Sequence, residues 1–110
     1  VDIQTQEHKR VVVVSVTGRI DSATASEFED ALNEFTQQGK NNIVLDLSEV
    51  DFISSAGLRV LVTARKAVKG AGGEIAIANS SDQVLETLEI AGLDVLFDQY
   101  PDRETAVGSF

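Results

Sequence analysis

Apolar residues along this chain fall into two kinds of segment, short runs of branched aliphatics and longer stretches with helical spacing. Val11–Val16 is the strongest of the first kind. β-Branched residues dominate it, and the unbroken run Val11–Val14 predicts a strand buried on both faces. Val1–Gln6 alternates more weakly and predicts a short edge strand, with His8-Lys9-Arg10 as the turn of a hairpin. Thr17-Gly18-Arg19-Ile20 reads as the exit from the strand, and Asp21-Ser22 supplies helix-capping chemistry. Beyond it Ala25, Phe28, Ala31, Leu32 and Phe35 share one helical face, Glu27, Glu29, Asp30 and Glu34 face away, and Gly39 closes the helix as a left-handed cap.

Asn41-Asn42 turns the chain into a strand at Ile43–Leu47, followed by a second apolar patch of Val50, Phe52 and Ile53. A helix is expected from about Ala56 to Lys69, with Leu58, Leu61, Ala64 and Val68 as its apolar stripe. Its polar side carries Arg59, Thr63, Lys66 and Lys69. Gly70-Ala71-Gly72-Gly73 leads to an alternating strand, Glu74–Ala78. Asn79-Ser80-Ser81 caps a short helix with Val84, Leu85, Leu88, Ile90 and Ala91, which stops at Gly92. Val95-Leu96-Phe97 reads as a brief strand, and Pro101 opens a last helical turn. The order β-β-α-β-α-β-α-β-α describes an α/β fold with a mixed sheet, its strands after the hairpin joined by parallel, right-handed crossovers. Such sheets carry functional loops where strands hand over to helices, and residues 51–60, DFISSAGLRV, lie at one handover.

Length bounds this picture at one domain, residues 1–110, with a single two-layer core. A chain 43% hydrophobic and 25% charged has the composition of a folded globule. The longest apolar run is four residues, far below the roughly 20 that span a bilayer, so no membrane role is expected. No basic segment followed by an apolar one opens the chain, and a cytoplasmic location is expected. The absence of cysteine excludes disulfides and thiolate metal sites. A net charge of −9 argues against direct nucleic-acid binding and suits a partner with a basic face, or simply solubility.

The inventory for catalysis is thin. His8, the one histidine, falls in a hairpin turn, where a solvated side chain is the ordinary state. No G-x-S-x-G elbow is present. The glycines of 70–73 precede a strand, whereas a phosphate loop follows a strand and opens a helix. No calcium-loop pattern occurs among the carboxylates. No catalytic, metal or cofactor site is expected, and an enzyme is the weaker reading.

Ser54 and Ser55 admit two readings. Serine is a preferred N-cap, so the pair serves to start a helix. Gly57, however, costs about 1 kcal/mol against alanine inside a helix, and reads as an open stretch of backbone that a partner or phosphate approaches. The N–H groups of the helix end also favour an anion. Phosphorylating a serine here adds about −1.5 to −2 charges, which the helix end tolerates and a partner packed over the turn does not.

The string Val44-Leu45-Asp46-Leu47-Ser48-Glu49-Val50-Asp51-Phe52-Ile53-Ser54-Ser55-Ala56-Gly57-Leu58 resembles the signature of anti-sigma factor antagonists of the STAS domain family. Gly18-Arg19-Ile20-Asp21 matches the family's G-x-[ILV]-D pattern, and Gly72-Gly73-Glu74-Ile75, Val84-Leu85-Glu86 and Gly92-Leu93 follow in the family's order. The resemblance covers essentially the whole chain. It implies a mixed sheet of four to five strands with helices packed on one side, in a single STAS domain. It also implies a non-enzymatic switch that binds an anti-sigma factor, itself a serine kinase, and so frees a sigma factor to act in transcription. ATP-dependent phosphorylation by that kinase breaks the complex, and a serine phosphatase restores it. The acceptor implied is Ser55, two positions before the glycine, with Ser54 as the alternative. Asp21, Ser54, Ser55, Ala56, Gly57, Leu58 and Arg59 form the implied partner-facing set. Ser54 stands where switching members carry Asp, and Ala56 where they carry Ser or Thr. A scaffold or sensory, nucleotide-binding module without phosphoswitching is the other role this family offers. A hydrolase built on Ser55 lacks a base.

Overall fold

Val11–Val14 is buried without interruption because its strand lies inside a sheet covered on both faces. The computed structural model describes residues 1–110. In chain order the elements are β1 (Asp2–His8), β2 (Val11–Ile20), α1 (Ala25–Gln37), β3 (Asn42–Ile53), α2 (Ser55–Gly70), β4 (Glu74–Ala78) and α3 (Asp82–Ile90), then a 3-10 turn (Asp94–Leu96), β5 (Asp98–Tyr100) and α4 (Arg103–Gly108). The sheet runs β1-β2-β3-β4-β5. β1 and β2 are antiparallel, and the other neighbours are parallel. The element order is the one the sequence predicts, as is the mixed α/β class.

Residue parity on the strands separates two cores. Val12, Val14, Ile43, Leu45, Leu47, Ile75 and Ile77 meet Phe28 and Leu32 of α1, Leu61 and Val68 of α2, and Val84 and Leu88 of α3. Val11, Val13, Val44 and Ala78 point the other way and meet Ala106 of α4. Helices on one side therefore describes α1, α2 and α3, while α4 crosses to the opposite face. A buried polar contact holds it there. Asp46, 4% exposed, pairs with Arg103, whose guanidinium also donates to Ser15 Oγ at 2.5 Å.

The strands differ from expectation where local pattern is ambiguous. β2 continues through Thr17–Ile20 instead of ending there, with irregularities between Ser15 and Thr17 and between Gly18 and Arg19. Gly18 adopts a φ of +110° at that kink, a region closed to most side chains. β4 is buried on both faces rather than alternating, because Ile75 and Ile77 face the core under α1–α3 while Ala78 faces α4. Val95-Leu96-Phe97 is not a strand. It forms the end of the 3-10 turn, with Val95 82% exposed, and β5 follows it. Ile90 and Ala91 are exposed at the end of α3. On α2 the buried stripe is Gly57, Val60, Leu61, Ala64 and Val68, with Leu58 at its margin. Asp102, rather than Pro101, starts α4, its carboxylate accepting from Thr105 N–H at 2.7 Å.

Candidate functional site

Asp21 and Ser54 are brought together by strand register. Ile20 and Ile53 are parallel partners at the ends of β2 and β3, so the next residue of each chain segment leaves the sheet at the same level. The Ser54 N–H donates to the Ile20 carbonyl at 2.8 Å, extending the pairing into the turn. The two loops predicted to carry function thus share one edge.

Asp21 organises its own loop. Its Oδ1 accepts from the N–H groups of Ala23 at 3.0 Å and Thr24 at 3.2 Å, while Thr24 Oγ1 accepts the Asp21 N–H at 2.9 Å. This reciprocal arrangement has the logic of a capping box. It closes the turn ahead of α1, whose N-cap, Thr24, makes no side-chain cap bond to the helix. The other oxygen, Oδ2, lies 3.6 Å from Arg19 Nε. Desolvation would raise the Asp21 carboxyl, but the Ala23 and Thr24 amides, the Thr24 hydroxyl and the Arg19 charge outweigh it and hold it below its ordinary value of 3.8.

The two serines have different jobs. Ser54 is the N-cap of α2, half-buried, and its Oγ accepts the Gly57 N–H at 3.3 Å. Ser55 is the first helical residue and is exposed. Its hydroxyl takes no part in the chain's side-chain hydrogen bonds, and the amides at this helix start have no intrahelical acceptor. Beside them Ala56 and Leu58 are partly covered and Arg59 is exposed.

Gly57 is not an open stretch of backbone. It is buried, and a Cβ there would come within 2.7 Å of Ile20 Cγ2 and 2.8 Å of Ile53 Cγ1. Glycine is used so that the first turn of α2 sits directly on the ends of β2 and β3, which fixes where Ser55 is presented. Gly57 therefore belongs to the support of the site and not to its surface.

Two residues of the site were not singled out by sequence. Arg19 and Phe52 are partners across β2 and β3, and the Arg19 guanidinium stacks 4.3 Å from the centre of the Phe52 ring. Phe52 is 40% exposed rather than part of an inward apolar patch. The irregular pairing near Gly18 sets the facing of both, which an alternation rule does not supply.

The Asp21 carboxylate beside the turn is engaged by the Ala23 and Thr24 N–H groups and lies near Arg19. His8 sits at the start of the β1–β2 hairpin, nine strand residues from Ile20, on the order of 25–30 Å from the serines. The clefts lined by Lys9 and Arg10, by Val107 and Phe110, and by Ser80 and Tyr100 do not include Ser54 or Ser55. The turn presents Ser55 and Arg59 to solvent. No helix of the chain is long and apolar enough to cross a membrane.

Comparison with known proteins places the chain in a family. Residues 2–106 match the STAS domain family, and the chain belongs to it. An anti-sigma-B factor antagonist of Staphylococcus aureus is 32% identical over 92 residues, 84% of this chain and 85% of the relative. The crystal structure of an anti-sigma factor antagonist from Mycobacterium paratuberculosis superposes with a TM-score of 0.88 at 29% identity, covering 98% of this chain and 92% of that one. The Bacillus cell fate determinant SpoIIAA, solved in its phosphorylated form, shares the fold, with a TM-score of 0.76 at 16% identity and 98% of both chains covered.

Proposed function

We propose that this chain is an anti-sigma factor antagonist that works as a phosphorylation-controlled partner switch. The whole of residues 1–110 acts as one STAS domain, a regulatory protein of the cytoplasm and not an enzyme. In its unmodified form it binds an anti-sigma factor through the turn at Ser54–Arg59 and the Asp21 loop beside it, and the sigma factor is released. The anti-sigma factor is also a serine kinase. It transfers the γ-phosphoryl group of ATP to Ser55 Oγ, the hydroxyl proton leaves, and ADP is released. A serine phosphatase hydrolyses the ester and returns the domain to its binding form.

The observation that carries this reading is the division of labour between the serines. Ser54 spends its oxygen on the helix cap, whereas Ser55 offers an exposed hydroxyl with no internal partner. Phosphate on Ser55 leaves the cap and the sheet edge in place, so the charge acts on the partner and not on the fold. The relatives named anti-sigma factor antagonists and the phosphorylated chain of the same fold support it. The test is to incubate the protein with its cognate kinase and ATP and locate the phosphate by mass spectrometry. One phosphate on Ser55, absent from Ser55→Ala, is expected. Full labelling of Ser55→Ala would move the site to Ser54, and no labelling of the native chain would leave the family's scaffold role in its place.

A further inference from the structure

α2 carries an arginine that the unmodified fold does not use. Arg59 is four residues after Ser55, so both side chains rise from one face of the helix, and both are exposed. The other arginines of the neighbourhood are committed. Arg19 stacks on Phe52 and pairs with Asp21, and Arg65 donates from Nε to the Leu96 carbonyl at 2.7 Å. Arg59 takes part in none of the chain's ion pairs. The macrodipole does not explain it either, since that field favours cations at the far end of the helix, where Lys69 stands. The first turn of α2 has no acidic residue, whereas those of α1, α3 and α4 carry Glu27, Asp82 and Glu104.

We infer that Arg59 is the intramolecular counter-ion of a phosphate on Ser55. The inference rests on the proposed role of Ser55 and says what the phosphate does next. An anion at one position and an arginine four residues later form the favourable orientation of a helical ion pair, and a guanidinium binds phosphate oxygens through two parallel N–H donors. Modification then changes the docking surface twice. It adds a dianion at Ser55, and it draws the free guanidinium of Arg59 from solvent, or from a partner's carboxylate, onto that dianion. Arg59 is in this sense a positioning residue, acting through the phosphoserine.

The test places phosphoserine at position 55 by genetic encoding, so that it does not depend on any kinase, and follows the phosphorus resonance through a pH titration. With Arg59 present the second ionisation of the phosphate is expected lower by roughly 0.2–0.4 pH unit than in Arg59→Gln. Arg59→Lys should recover part of that difference, and 1 M salt should shrink it. A merely structural role for Arg59 would leave the titration unmoved. Superimposable titrations of the native and Arg59→Gln phosphoproteins overturn the inference and leave the role of Ser55 as a phosphoacceptor standing. Failure of a kinase to modify Ser55, with the titration difference present, would do the reverse.

Discussion

The Ser54 amide and the Ile20 carbonyl, 2.8 Å apart, join two loops that are more than thirty residues apart in the chain. Because Ile20 and Ile53 are already paired, that bond makes the serine turn a continuation of the sheet. The position of Ser55 is therefore set by the most buried part of the fold, with Ile20 fully buried and Ile53 nearly so. The exposed Ser55 is thereby presented at a fixed place on the sheet edge.

Gly57→Ala tests that support. The added methyl would meet Ile20 and Ile53 side chains at 2.7–2.8 Å, so both must shift or α2 must lift away from them. Overpacking of this kind costs about 1–3 kcal/mol, against a gain of up to about 1 kcal/mol in helix propensity. A net loss of stability in urea denaturation is expected. A variant as stable as the native chain would show that α2 does not rest on the strand ends.

The serines should separate by substitution. Ser54→Ala removes the cap of α2 and should cost about 0.5–2 kcal/mol, whereas Ser55→Ala should stay within about 0.5 kcal/mol of the native stability. Thermal unfolding of the two variants side by side reads the difference. Equal losses would contradict the division of labour seen in the structure.

Much of this arrangement is legible in the chain itself. Gly39, Gly72 and Gly92 have φ values of +77°, +83° and +73° just beyond α1, α2 and α3, where a left-handed cap is required, and local chemistry alone places them. The Asp21 loop and the serine turn are legible for the same reason. Three features are not, because each depends on packing between distant segments. Gly57 looks like a helix defect until Ile20 and Ile53 are seen beneath it. Val95-Leu96-Phe97 has strand composition, yet Leu93 and the Arg65 bond to the Leu96 carbonyl curl it into a 3-10 turn. The crossing of α4 to the second face turns on Arg103 reaching Asp46, 57 residues away.

That last contact predicts a pH effect. Desolvation raises the Asp46 carboxyl, but its bonds from Arg103 and Ser48 and the Arg103 charge outweigh this and hold it below its ordinary value of 3.8. A group depressed in the folded state contributes stability above its unfolded value, and that stability is lost as pH falls through the folded value. Native protein should therefore lose stability more steeply below about pH 4 than Arg103→Ala, which lacks the pairing. At neutral pH Arg103→Ala should cost about 1–3 kcal/mol, since a buried carboxylate loses its partner. Parallel acid profiles for the two proteins would contradict the role given to this pair.

The central claim is that phosphate on Ser55 acts on the partner and not on the fold. Calorimetric titration of the anti-sigma kinase with the unmodified chain and with the chain phosphorylated at Ser55 tests it most directly. Like charge or lost contact at a docked surface costs several kcal/mol, so binding is expected to weaken by about 100-fold or more, with the thermal stability of the domain nearly unchanged. Equal affinity of the two forms would contradict the account.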